Sequence, residues 1–88
     1  MKPVRMFVTG WCPHCHRAKN MIRELIEKEP RYGEIIIEVI DEEFEAAYAN
    51  SFDYYYVPTF YVDGVKVHEG GIFPDEVEAI LKMALQRS

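Results

Sequence analysis

The sequence predicts an α/β protein in which a four-stranded mixed sheet is flanked by three helices, in the order β-α-β-α-β-β-α. Three features carry that prediction. A short apolar run, Val4 to Val8, passes through Thr9-Gly10 into a stretch of helical periodicity. The β-branched segment Glu34-Ile35-Ile36-Ile37-Glu38-Val39-Ile40 follows that helix and completes a strand–helix–strand unit, whose crossover is expected to be right-handed. Further on, two β-rich runs flank Asp63-Gly64, a pair suited to a two-residue hairpin turn.

The first helix is expected from Pro13 to Glu29, with Ala18, Met21, Ile22, Leu25 and Ile26 as its apolar face. Proline is tolerated in a first turn because its missing N–H has no partner there, and Pro30 with Gly33 ends the helix. The segment from Glu34 to Ile40 is apolar on both faces, which predicts a parallel strand covered on two sides. Asp41 suits the N-cap of a short helix through Asn50, with Glu42, Glu43 and Glu45 at its positive end and Phe44, Ala47 and Tyr48 turned inward. Thr59-Phe60-Tyr61-Val62 and Val65-Lys66-Val67-His68 form the hairpin, and Gly70-Gly71 breaks its second strand. Pro74 opens a last helix that buries Val77, Ile80, Leu81, Ala84 and Leu85.

With 88 residues, 49% of them hydrophobic and 14% aromatic, the chain has material for a single domain over 1–88 with one core. A net charge of -5 argues against non-specific nucleic-acid binding and against anionic membranes, both of which need a surplus of Lys and Arg. No apolar stretch approaches the ~18 residues of a spanning helix. Met1-Lys2-Pro3 runs straight into the first strand and leaves no room for a signal peptide, so the expectation is a cytoplasmic monomer whose partners are proteins or small thiols.

The chemistry is concentrated in Trp11-Cys12-Pro13-His14-Cys15, at the junction of strand and helix. The unpaired N–H groups and positive macrodipole of a helix start favour a thiolate on Cys12. The first turns hold His14, His16, Arg17 and Lys19 and no acid before Glu24, against the usual preference for Asp and Glu. Cations so placed lower the pKa of a neighbouring thiol, and His14, between the sulfurs, is the nearest tuning group by sequence, beside Pro13. Three other uses of the pair compete with this one. A purely structural bridge would constrain the unfolded chain by only about 2 kcal/mol, against nearly 5 for a 100-residue loop. A zinc site would need His14, His16 or His68 to complete it, since there is no second CxxC, and no metal is expected. Cys12-Pro13-His14-Cys15-His16 also satisfies the CxxCH haem-attachment pattern, without a visible export signal or room for a porphyrin.

Pro58 stands before a strand that should lie mid-sheet, where a missing N–H is disfavoured. Either the residue is a trans proline at an edge, or the Val57–Pro58 bond is cis and leaves the preceding backbone free to pair with an extended partner.

Taken together, Trp-Cys-Pro-His-Cys after the first strand, Val57-Pro58-Thr59 before a hairpin and Gly70-Gly71 before the last helix resemble the thioredoxin superfamily over nearly the whole chain. Cys12-Pro13-His14-Cys15 followed by Ala18-Lys19 is similar to glutaredoxins, whereas Trp11 and Thr59 look like thioredoxins. Glutaredoxins place Thr where this chain has Tyr56, and their Asp pair after the double glycine falls here at Asp75-Glu76. No acid lies between Val4 and Thr9, where thioredoxins carry a buried Asp, and Glu38 is a poor substitute. Pro13-His14 resembles the dipeptide of strongly oxidising members, in which His stabilises the thiolate.

The resemblance implies thiol–disulfide exchange. Cys12, exposed at the helix tip, attacks a disulfide-containing protein substrate, and Cys15, one turn inward, resolves the mixed disulfide. The backbone of Val57 and a cis-Pro58 would hold the substrate segment, with Thr59, Gly70 and Gly71 alongside and Trp11, Tyr56 and Tyr54 as an apolar rim. His68 is expected on a strand surface. The Cys12–Cys15 disulfide is the only redox group required. The electron source is open between glutathione and a thioredoxin-reductase-like enzyme, as is the choice between reductant and oxidant. The competing reading is a non-catalytic module of the same fold that docks a partner protein or a metal.

Overall fold

The computed structural model describes residues 1–86. Its strands are β1 (Val4–Val8), β2 (Ile37–Asp41), β3 (Thr59–Val62) and β4 (Val65–Glu69), and its helices are α1 (Pro13–Lys28), α2 (Ala46–Asn50) and α3 (Pro74–Leu85). The sheet order is β2-β1-β3-β4. β1 runs parallel to β2, with Val4 opposite Ile37 and Val8 opposite Asp41, and antiparallel to β3, with Phe7 opposite Thr59.

Alternation along β1 sends its side chains to two cores. Val4, Met6 and Val8 meet Phe60 and Val62 of β3 beneath α1 and α3, which add Cys15, Ala18, Ile22, Val77, Ile80 and Leu81. Phe7 points the other way, to Ile40, Ala49 and Tyr61. Its ring centroid lies 4.8 Å from those of Phe52 and Tyr54. The hairpin turn has φ 51° at Asp63 and φ 81° at Gly64, the left-handed pair that a type I′ turn requires. At the start of α3, Pro74 takes the first position and the Glu76 carboxylate accepts the Phe73 N–H at 3.0 Å.

Three expectations are corrected. The second strand starts at Ile37, not Glu34, because Pro30–Glu34 form a 3-10 turn. Tyr32 in that turn is buried and donates its hydroxyl to Glu78 of α3 at 2.8 Å, an anchor that holds the turn against α3. β2 is an edge strand whose faces are only partly covered, with Glu38 and Val39 exposed and Ile40 buried. The strands buried on both faces are the central pair, β1 and β3. The second helix starts at Ala46, because Asp41 caps a turn, its Oδ1 accepting from the Glu43 N–H at 2.9 Å. Phe44 is therefore 88% exposed and Ala47 faces outward, whereas Tyr48 lies against the sheet, its ring on Phe52 and its hydroxyl accepting from Arg5 at 2.9 Å, and Ala49 is the buried residue of α2. Among the described residues no helix is long and apolar enough to cross a membrane.

Candidate active site

β1 delivers the chain through Thr9-Gly10-Trp11 to Cys12, which is itself the N-cap of α1, with extended φ −81° and ψ 114°. Its Sγ accepts the Cys15 N–H at 3.3 Å, in the position where a Ser or Asp oxygen would ordinarily satisfy an orphan donor. The helix thus directs a backbone N–H, and its positive end, at this sulfur. No acid occupies the first turn. Both cysteines are free thiols.

Cys12 is not exposed. Only 5% of it is accessible, because the segment before β3 lies over it and brings the Val57 carbonyl to 3.8 Å from Sγ, where the thiol donates to it. Cys15, at 1%, lies behind it. Burial pushes the Cys15 thiol up to about 12, and the hydrogen bond to the Cys12 sulfur adds to the effect, while a Thr9 backbone hydrogen bond and the Lys19 charge oppose it. The two sulfurs therefore stand in unequal surroundings. The Thr9 hydroxyl beside them is buried without a hydrogen-bond partner.

The Val57–Pro58 bond is cis and Pro58 is fully buried. The Pro58 carbonyl accepts the Gly70 N–H at 2.9 Å, and the Thr59 hydroxyl donates to the Tyr56 carbonyl. Pro58, Thr59 and Gly70 are thereby brought together with Cys12. Gly71 lies under the His14 ring, whose Nδ1 would be 3.5 Å from a Cβ at that position. His14 is bonded elsewhere than the sulfurs: Arg17 donates Nη2–H to its Nδ1 at 2.7 Å. His14, Arg17, Met21, Gly71, Ile72 and Phe73 line a depression of about 340 Å³ beside the cysteines.

Trp11 and Tyr56 are 76% and 70% exposed, in keeping with a rim, but Tyr54 is not part of it. It packs on Phe7, and burial, with Glu42 nearby, pushes its phenol up to about 12. His68 is half-buried instead of lying free on the surface, with Nε2 2.8 Å from the Gly71 carbonyl and Nδ1 3.8 Å from Glu76. Of the acidic pair in the first turn of α3, Glu76 is engaged with Phe73 and His68. Two contacts at the site go beyond what the sequence predicts. The His16 imidazole approaches the Gly10 carbonyl at 3.0 Å and ties down the loop before Cys12. Glu69 holds the loop before β3. His16 carried a weak signal, a cation where a helix start prefers acids, and Glu69 carried none.

A family model described as a thioredoxin domain matches residues 2–82. No curated protein matches the sequence. Among solved structures, one described as a malarial protein aligns over 98% of this chain and 99% of its own at 19% identity, with a TM-score of 0.74. Mitochondrial thioredoxin 3 from Saccharomyces cerevisiae in its oxidised form aligns at 24% identity over 93% of this chain and 77% of its own, with a TM-score of 0.72. A thioredoxin point variant from Halobacterium salinarum aligns at 21% identity over 99% and 77%, with a TM-score of 0.70. At these identities the likeness is one of fold.

Proposed function

The chain belongs to the thioredoxin superfamily, and on that premise we propose that it is a thiol–disulfide oxidoreductase that reduces protein disulfides through a mixed disulfide on Cys12. The observation that carries the reading is the inequality of the two sulfurs. Cys12 receives a helix-start N–H on its Sγ under the Val57 carbonyl, whereas the Cys15 thiol, buried behind it, is held protonated.

In the forward direction the Cys12 thiolate attacks one sulfur of a substrate disulfide. A Cys12–substrate S–S bond forms, the substrate S–S bond breaks, and the departing sulfur leaves as a thiolate that takes up a proton. Cys15 then gives up its proton and attacks the Cys12 sulfur. The Cys12–Cys15 disulfide forms and the second substrate thiol leaves. Two electrons pass to the substrate, and a reduced small thiol or a dithiol enzyme must return them. Burial keeps Cys15 protonated while Cys12 attacks, and formation of the mixed disulfide removes the smaller contribution of the Cys12 charge to that effect, which favours attack by Cys12 first.

A reductant role is favoured over an oxidant role by His14. In the dithiol form its ring is bonded to Arg17 and rests on Gly71, so the reduced state gains no hydrogen bond from it at Cys12. A stabilised reduced state is what makes a disulfide a strong oxidant, so a potential near roughly −270 mV is expected and not one near −120 mV. The arrangement supports protein disulfides as substrates, the aromatic rim of Trp11 and Tyr56 flanking the sulfurs.

Insulin reduction by dithiothreitol tests the activity. The protein should accelerate it, and Cys12→Ser should abolish the effect. Cys15→Ser should instead accumulate a mixed disulfide detectable by mass spectrometry. No acceleration over buffer, with zinc found by elemental analysis, would leave the docking module as the better reading.

A further inference from the structure

The loop that covers Cys12 is gripped from behind by a carboxylate. Glu69, the last residue of β4, stands opposite Thr59 in the ladder. Its Oε2 accepts the N–H groups of Tyr55 and Tyr56, the latter at 2.9 Å, and its Oε1 takes Lys66 Nζ at 2.9 Å. From across the ladder the Thr59 hydroxyl donates to the Tyr56 carbonyl, and the next residue, Gly70, donates its N–H to the Pro58 carbonyl. The end of the hairpin therefore binds the peptide groups on both sides of Val57. Val57 itself directs its carbonyl at Cys12 Sγ, and the rings of Tyr55 and Tyr56 face solvent while their backbone is fixed.

We propose that Glu69 is a positioning residue for substrate, pre-forming residues 55–58 so that a peptide carrying a disulfide meets an ordered Val57 edge and two fixed tyrosines. The inference rests on the exchange reading above. Bonds from N–H groups to an ionised carboxylate are among the stronger ones, and Lys66 together with the two amides holds Glu69 down to about 2, so the grip is charged throughout the neutral range. Ordering a loop before binding removes that cost from association. A peptide disulfide that lies along the loop benefits, and a small disulfide that reaches only the Cys12 sulfur does not. Glu69 thereby biases the site toward protein disulfides.

The test compares kcat/KM for insulin with the rate toward bis(2-hydroxyethyl) disulfide in wild type, Glu69→Ala and Glu69→Gln, with the amide NMR shifts of Tyr55 and Tyr56 as a direct readout of the grip. Glu69→Ala should lower kcat/KM for insulin by roughly five- to tenfold, mainly through KM, and leave the small disulfide within about twofold. Its two amide protons should move upfield together. Glu69→Gln, which keeps the reach and an acceptor oxygen, should restore most of the insulin activity. If the alanine variant does not fold, Glu69→Asp, which withdraws the carboxylate by one methylene, takes its place with the same expectation. Equal losses on both disulfides, or no loss on either, would overturn the proposal. Failure of the exchange reading looks different, because wild type itself would then turn over neither substrate.

Discussion

Alkylation of Cys15 offers a quantitative check on the division of labour between the sulfurs. With its thiol pushed up to about 12, Cys15 at pH 8 is a thiolate in about one molecule in ten thousand, against roughly one in four for a free cysteine of pKa about 8.5. The more basic thiolate is also the better nucleophile, and a Brønsted slope of about 0.4 to 0.5 recovers some 25- to 55-fold of that deficit. Basicity alone therefore slows Cys15 by about forty- to a hundredfold relative to a free thiol at pH 8, and its burial slows it further. The experiment treats the reduced protein with limiting iodoacetamide, quenches at early times and maps the label by peptide mass spectrometry, with glutathione as the internal free-thiol standard. The Cys15 rate should rise about tenfold per pH unit from pH 7 to 10 without a plateau. Labelling of Cys15 as fast as Cys12 at pH 8, or a plateau below pH 10, would refute the assignment of Cys15 as the protonated, second-acting thiol.

Further expectations follow from the same geometry. Since His14 is bonded to Arg17 and not to Cys12, His14→Tyr should move the reduction potential by less than about 10 mV, on the order of 0.5 kcal/mol, in equilibration with a dithiol buffer of known potential. A fall of roughly 20 to 65 mV would show a redox role for the imidazole, the outcome expected from residue order alone. The raised Cys15 and Tyr54 groups bind their protons more tightly folded than unfolded, so the stability they contribute is full below about pH 9 and is lost as pH rises toward about 12. Urea midpoints of the reduced protein should fall across that window, and Cys15→Ala should flatten part of the decline. Phe7→Ala, which empties the centre of the aromatic cluster, should cost about 3 to 5 kcal/mol by urea denaturation, and a loss under about 1 kcal/mol would contradict the packing described.

What could be read from the residues was what depends on local chemistry. The period of α1, the Asp63-Gly64 turn and the stripe of α3 are set within a few positions of each other, and the structure agrees with them. The errors arise where burial depends on neighbours far along the chain. Ile35, Ile36 and Ile37 form one apolar run, yet Ile35 is buried, Ile36 is exposed and Ile37 lies between. Their fates are decided by Tyr32 anchoring to α3 and by β3 taking the far side of β1. Phe44 is exposed for a related reason, since the Asp41 turn delays the helix that would have turned it inward. At the site, the cysteines and Pro58 announce themselves by type and spacing. Glu69 acts on amides 13 and 14 residues away, and no pattern in the sequence links a strand-end carboxylate to the loop it holds.

The sulfur that reacts is also the group that caps the helix. Every covalent event at Cys12 therefore alters the hydrogen-bond acceptor on which the first turn of α1 closes. A thiolate is a strong acceptor for the Cys15 N–H, whereas a sulfur engaged in a mixed disulfide is a weak, neutral one. Loss of a good N-cap is worth about 1 kcal/mol. The helix start should consequently loosen while substrate is attached, at the moment when Cys15 has to leave its buried position and approach Cys12. Hydrogen exchange at the Cys15 amide would register this as a rate that rises in the mixed disulfide and falls again when the dithiol returns, a backbone reporter of turnover supplied by the nucleophile itself.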